Sequence, residues 1–323
     1  MEEITQLVCL PHGLPLQSGE RSLNCERGCT YEILNGIPRF VPMRTYASSF
    51  GLQWNTYRTT QLDSHTGLSI SYDRLARIAG GSLDIFKGKK TLEVGCGAGR
   101  FTELMLKAGA CTFAVDLSNA VEANYQNCSS FKHYYVAQAD VRELPIQPEQ
   151  FDIVVCIGVV QHTPDPDDTM QALCAHVKPG GLLLMDHYSY GYPVTPVRRW
   201  LRSFLLRRNE QYSMVFVQRL VKTLWPVHNV VYKKRDAKSG ARAIAYLMRW
   251  SPVVDYHYAY PQLGEQRLLE WAILDTHDTL TDRYKHLRSA DEIDAALQAF
   301  GMTNIQTSYA GNGVEVRAWK PER

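Results

Sequence analysis

An α/β fold built on a parallel sheet with helices on both faces is predicted by three features of the sequence. Between residues 81 and 195, short apolar runs alternate with amphipathic stretches of helical period. That is the rhythm of strands joined by helical crossovers. One run, TLEV, opens directly into the glycine-rich loop GCGAG at 95–99. Acids stand where the next two runs end, Asp116 in AVDLS and Asp140 in QADVRELP. Ligands of open parallel sheets sit beyond the carboxyl ends of the strands, where strand order reverses, so loop and acids are expected at one site.

Along the chain, KTLEVG reads as the first buried strand and RFTELMLKAG as an amphipathic helix stopped by glycine. CTFAVDLS, HYYVAQAD and FDIVVCIGVV follow as strands, with AVEANYQNC a helix after the first of them. DTMQALCAHV is a helix closed by KPGG, and LLLMDHYS a fifth strand. Near the end, ADEIDAALQAFG reads as a helix, and NIQTSY and GVEVRAW as an antiparallel pair completing the sheet. This core, 81–195 with 285–323, is flanked by three other textures. Residues 1–42 form a small Cys-, Gly- and Pro-rich head ending in NGIPRFVP, and 43–80 lead into a helical pattern that stops at Gly80-Gly81. Residues 196–284 are a helical insertion, whose stretch from Arg198 to Arg249 holds thirteen Lys/Arg against Glu210 and Asp236.

The 323 residues carry a net charge of only +2, so no global field points to nucleic acid or membrane. No stretch of about 18 apolar residues exists to span a bilayer, and no signal-like segment opens the chain, which predicts a cytoplasmic protein. Of eight cysteines, Cys96, Cys111, Cys128, Cys156 and Cys174 fall in apolar or helical contexts and read as buried thiols of a reducing compartment.

The glycine loop by itself is shared by several nucleotide folds. Its neighbours narrow the ligand. Glu93, two residues before Gly95, would repel a pyrophosphate but suit a cation. Asp116 can accept both ribose hydroxyls. Asp140 is placed for an adenine amino group. A phosphate-free nucleoside with positive charge fits all three, namely S-adenosylmethionine. The third glycine of the dinucleotide fingerprint is replaced by Arg100.

With these residues in view, 88–190 resembles the core of the class I S-adenosylmethionine-dependent methyltransferases, a Rossmann-like seven-stranded sheet with an antiparallel last hairpin. LEVGCGAGRF, AVDLSNA, QADVRELP, FDIVVCIGVVQHTPDP and VKPGGLLL carry the resemblance in the family's order. It implies that Glu93, Gly95, Gly97 and Gly99 line the methionine and ribose side, that Asp116 and Leu117 hold the ribose, and that Asp140 and Val141 contact the adenine. Ile157 would close the pocket near the sulfonium. The ending NGIPRFV resembles the small Trm112-like ribbon. Cys9, His12, Cys25 and Cys29 form two pairs like zinc knuckles, and thiolate and imidazole ligands at short spacing suit a structural tetrahedral zinc.

For proton transfer, His162 follows the fourth strand, where this fold faces the methyl group. Asp186 and His187, with Tyr188, follow the fifth, although alternation lets only some of them face the site. Asp275, His277 and Asp278 in LDTHDTL, with Tyr284 and His286, are expected on a loop folded over the acceptor. Phe50, Trp54, Gln61 and Asp63 precede the first strand, where such segments cap the cofactor. The basic insertion reads as solvated helices with arginines outward, as capture of an anionic acceptor, or as a face lying on an anionic membrane. RNA is disfavoured because no stacking platform accompanies the charge.

The expectation is therefore O-methylation of a small-molecule acceptor that is sugar-like, a glycan or a secondary metabolite. The alternatives are a tRNA or protein methyltransferase docking through its ribbon, and a non-catalytic scaffold that binds the cofactor.

Overall fold

The structure is a computed structural model that describes residues 6–192, 195–234, 244, 246–247 and 249–322. In the head, β1 (Gln17–Ser18), β2 (Ser22–Asn24), β3 (Thr30–Leu34) and β4 (Ile37–Pro38) form an antiparallel sheet in sequence order. Leu7, Leu23 and Phe40 of this head bury into the same core as the main sheet. The lead-in holds α1 (Ser48–Thr56), α2 (Asp63–Thr66) and α3 (Ile70–Ala79), the last closed by Gly80 at φ 98°.

The core alternates as expected. β5 (Lys90–Val94), α4 (Thr102–Lys107), β6 (Cys111–Asp116), α5 (Val121–Cys128), β7 (Tyr134–Gln138), β8 (Phe151–Cys156), α6 (Pro166–His176) and β9 (Val177–Tyr188) follow one another. After the insertion come α10 (Ala290–Ala299), β10 (Thr303–Ala310) and β11 (Gly313–Trp319). The sheet order is β10-β11-β9-β8-β5-β6-β7, with β5 to β9 parallel and the last hairpin antiparallel. Alternation along β8 buries Val154 and Cys156 under α6 and α10, and Ile153 and Val155 under α3 and α4. Strand order reverses between β5 and β8, which is where the glycine loop emerges.

The head docks on the open edge of β7. Arg39 bridges in parallel to Gln138, and the Phe40 N–H donates to the Gln138 carbonyl at 2.9 Å. The buried Arg39 guanidinium also donates to Gln138 Oε1 at 3.0 Å and pairs with Glu122. A free edge strand is thereby covered.

KPGG does not close a helix but lies inside β9. The register against β8 shifts there, between Phe151 and Ile153. A Cβ on Gly181 would lie 2.8 Å from the Lys178 carbonyl and 3.0 Å from that of Asp152, so the bulge needs glycine. Four of the five expected thiols are buried, whereas Cys111 is only half-buried at the start of β6.

The insertion is built from α7 (Pro196–Leu205), α8 (Glu210–Lys233) and α9 (Gly264–Thr281) around a core of its own, with Leu201, Val221, Trp225 and Trp271. Its arginines do not all face outward. Arg198 is buried and donates to the carbonyls of Pro252 and Val253, and Arg202 reaches Asp282 at 2.6 Å. A polar knot fastens α8 to the following segment. Asp255 accepts from His228 Nδ1 at 2.5 Å and His257 Nδ1 at 2.6 Å, and His228 Nε2 meets Ser251 Oγ at 2.9 Å. Arg235, Asp236, Lys238 and Arg242 of the basic stretch lie outside the described residues.

Candidate active site

A cavity of about 1030 Å³ opens at the carboxyl ends of β5, β6, β7 and β8. That volume stands at the upper end of the range for small-molecule sites. Its first end is walled by the glycine loop. Gly95 has φ 72°, and a Cβ there would lie 2.1 Å from Val159 Cγ2. Gly97 donates its N–H to Asp116 Oδ2 at 3.0 Å, and Trp54 packs over it. Asp116, Leu117, Asp140, Val141 and Ile157 line the same end.

Asp116 also accepts from the Ser118 N–H at 2.8 Å and hydroxyl at 2.7 Å, yet burial still raises its carboxyl above the usual range. Asp140 is held differently. Burial alone would raise it, but the Arg142 guanidinium, at 2.6 Å, and the Arg142 amide outweigh that and lower it.

Two expected cofactor residues lie behind the wall. Gly99 packs against α5, where a Cβ would stand 2.8 Å from Cys128 Sγ, so it serves close helix packing. Glu93 is buried under the loop and accepts from Thr102 Oγ1 at 2.5 Å. Burial pushes its carboxyl up to about 8, which favours the protonated form over the expected negative charge.

At the other end of the cavity, His162 is buried between the rings of Phe50 and Tyr188, with centroids 5.4 and 5.2 Å away. Its Nδ1 lies 3.2 Å from the Tyr284 carbonyl and 3.4 Å from Asp282 Oδ2. Both are acceptors, so Nδ1 carries the hydrogen and Nε2 keeps its lone pair. Burial would lower the imidazole's pKa, but Asp282 and Asp278 reverse the sign and raise it.

Of the β9 candidates only Tyr188 lines the cavity. Asp186 is tied to Arg74 at 2.5 Å and accepts the Gly158 N–H at 2.6 Å, which anchors α3 to the sheet. His187 points to the other face, where burial lowers it to about 4. LDTHDTL is not a loop but part of α9. Helical spacing then turns Asp275, Asp278 and Thr279 to the cavity and His277 away, against Gln53 at 2.8 Å. Burial lowers His277 to about 4 and raises Asp275 to about 6. Asp275 accepts from Tyr256, Trp271 Nε1 and Gln61 Nε2. Of the lead-in residues, Phe50, Trp54 and Gln61 line the cavity. Asp63 instead accepts the Ser71 and Tyr72 N–H groups at the start of α3. His286 donates its backbone N–H to the Gln161 carbonyl at 2.9 Å.

The sequence reading missed Asp282, whose position four residues after Asp278 was the available signal. It also missed Tyr192, Tyr256 and Tyr260, which line the cavity. Nothing in their local sequence sets them apart, because only the folding of the insertion over β9 brings them to the site.

In the head, His12 Nδ1 lies 3.4, 3.5 and 3.6 Å from the sulfurs of Cys9, Cys25 and Cys29. With Zn–S about 2.3 Å and Zn–N about 2.0 Å, two tetrahedral ligands stand about 3.5 Å apart. Cys9, His12 and Cys29 bring their ligand atoms within 4.8 Å of one another, a donor set that suits that ion, whereas Cys25 lies outside this group.

A parallel sheet closed by an antiparallel hairpin, with a glycine-rich loop at its switch point, is the class I S-adenosylmethionine-dependent methyltransferase fold. Residues 92–185 match the family described as "Methyltransferase domain", so the chain carries such a domain. Over 100 residues the chain is 39% identical to a ubiquinone biosynthesis O-methyltransferase of Pseudomonas fluorescens (strain SBW25), covering 29% of this chain and 42% of that protein. Over 103 residues it is 36% identical to the enzyme of the same name from Coxiella burnetii (strain Dugway 5J108-111), covering 31% and 44%. The match thus spans less than half the length of these relatives. Among solved structures, magnesium protoporphyrin IX methyltransferase from Synechocystis PCC 6803 superposes loosely, at TM-score 0.43 and 12% identity over 85% of this chain and 96% of that one.

Proposed function

We propose that the protein is an S-adenosylmethionine-dependent methyltransferase acting on a hydroxyl of a small-molecule acceptor that is sugar-like, a glycan or a secondary metabolite. The observation carrying this reading is one cavity that joins the glycine loop, Asp116 and Asp140 to a buried imidazole with a free Nε2. The matched relatives are named as O-methyltransferases, which agrees with a hydroxyl acceptor.

When bound, the cofactor supplies a methyl group on a sulfonium, ready for in-line displacement. The chain's part is alignment and dryness. Asp116 and Asp140 hold the two ends of the nucleoside, and Phe50 and Trp54 exclude water above the loop. His162 takes the acceptor's proton at Nε2, and Asp282 steadies the resulting imidazolium through Nδ1–H. The head site is read as structural zinc held by Cys9, His12 and Cys29, with Cys25 as the fourth ligand that would leave no open position.

Calorimetry with S-adenosylhomocysteine tests the core of the reading. Wild type is expected to bind, and Asp116→Ala to lose at least about tenfold in affinity, the worth of one charged hydrogen bond. No heat from wild type, or equal affinity in the variant, defeats the proposal. Binding without methyl transfer to any member of an acceptor panel would favour a scaffold instead.

A further inference from the structure

A second cavity of about 510 Å³ opens between α7, α9 and the segment that follows α9. Its wall carries four cations, Arg199, Arg202, Arg207 and Lys285, and two hydroxyls, Ser203 and Thr279, with no acid among the lining residues. Arg199 and Ser203 stand one turn apart on one face of α7, and Arg207 follows in the turn just past its last residue, Leu205. Behind the wall, a single carboxylate serves two of the cations: Asp282 meets Arg202 at 2.6 Å and Lys285 at 3.0 Å. Arg199 and Arg207 are exposed and have no acidic partner among the described residues. Like charges gathered around one concavity repel one another unless an anion joins them. Guanidinium forks arriving from α7 and from the turn that follows it, with an ammonium from the segment after α9, match the several oxygens of a tetrahedral oxyanion better than a single planar carboxylate.

We propose that this groove binds a phosphate-type oxyanion, either a phosphate or pyrophosphate on a soluble molecule or the phosphodiester of a lipid headgroup. Thr279 lines both cavities, and Lys285 lies over the ring of Tyr192, which lines the first, 4.9 Å from its centroid. The two sites therefore share a wall. An anion held in the groove belongs to a molecule beside the acceptor end. The groove stands whether or not the methyl-transfer reading does, because none of its four cations lines the first cavity.

The test uses the full chain without cofactor, so that its outcome is separate from that of the methyltransferase reading. Inorganic pyrophosphate is titrated by calorimetry at low and at raised ionic strength. Saturable binding is expected, weakening with salt. The double variant Arg199→Gln/Arg207→Gln is expected to bind at least about tenfold more weakly, having lost two charge-assisted contacts. The control Arg219→Gln/Lys222→Gln, exposed on α8 outside the groove, is expected to match wild type. Co-sedimentation with phosphatidylglycerol vesicles separates the sources. Recruitment that pyrophosphate blocks and the groove variant abolishes assigns a lipid headgroup, while pyrophosphate binding without recruitment assigns a soluble ligand. Absence of saturable binding, or equal loss in groove variant and control, overturns the proposal. Far-UV circular dichroism checks that both variants fold. If the groove variant does not, Arg199→Lys/Arg207→Lys replaces it, with weaker binding expected because an ammonium lacks the fork.

Discussion

His162 shows how one side chain acquires a role from partners distant in sequence. It leaves the end of β8 in a buried turn, and its Nδ1 finds acceptors only because Asp282 and Tyr284 arrive from beyond α9. Those partners raise its pKa above the ordinary imidazole value. A general base must be neutral, so methyl transfer to a hydroxyl should increase as pH rises through that raised value. Asp282→Asn removes the charge that favours the imidazolium. The titration of His162, followed by NMR on histidine-labelled protein, should then move to lower pH, with the rising limb of the rate following it. A titration that stays in place would separate Asp282 from the base. His162→Ala should leave S-adenosylhomocysteine affinity unchanged, because the ring touches the acceptor end.

At the scale of elements, the head and α9 each do something different from what isolated motifs suggest. The head reads in sequence as a small ribbon-like unit, and in the structure its apolar residues enter the main core and its last residues pair with β7. The three sulfur-to-nitrogen separations around His12 lead to an expectation of about one zinc per chain by metal analysis. Cys25→Ser with Cys29→Ser should lose the metal and destabilise the β7 edge, lowering the melting temperature. Retention of stoichiometric metal in that variant would exclude this site. α9 presents Asp275 and Asp278 to the cavity and His277 to α1. A cluster that looks uniform in sequence is thus divided by the 3.6-residue period.

For the whole molecule, the insertion is fastened internally by a buried charge. Asp255 lies between His228 and His257, and Trp225 stacks 4.6 Å from the His257 ring. Burial would raise this carboxyl, but the two imidazoles more than offset that and depress it. A depressed carboxylate contributes stability that is present above its unfolded pKa and is lost as pH falls through its folded value. The insertion should therefore loosen in acid. Asp255→Asn should cost about 3 kcal/mol in urea denaturation at neutral pH, the typical loss when one partner of a buried pair is removed. A loss near zero would mean the knot is solvated. Among the described residues no helix is long and apolar enough to cross a membrane.

By itself the sequence determined the sheet, its antiparallel closing hairpin and the nucleoside end of the cavity. Those features rest on local periodicity, on turn glycines and on acids placed at strand ends, all of which lie within a few residues of the structure they create. Only the tertiary structure decided that Glu93 and Gly99 stand behind the wall and that Asp186 anchors Arg74. It alone joined His162 to Asp282 and collected four cations around one groove. These outcomes depend on which face of an element meets a partner a hundred residues away, and side-chain partners at that separation leave no periodic trace along the chain.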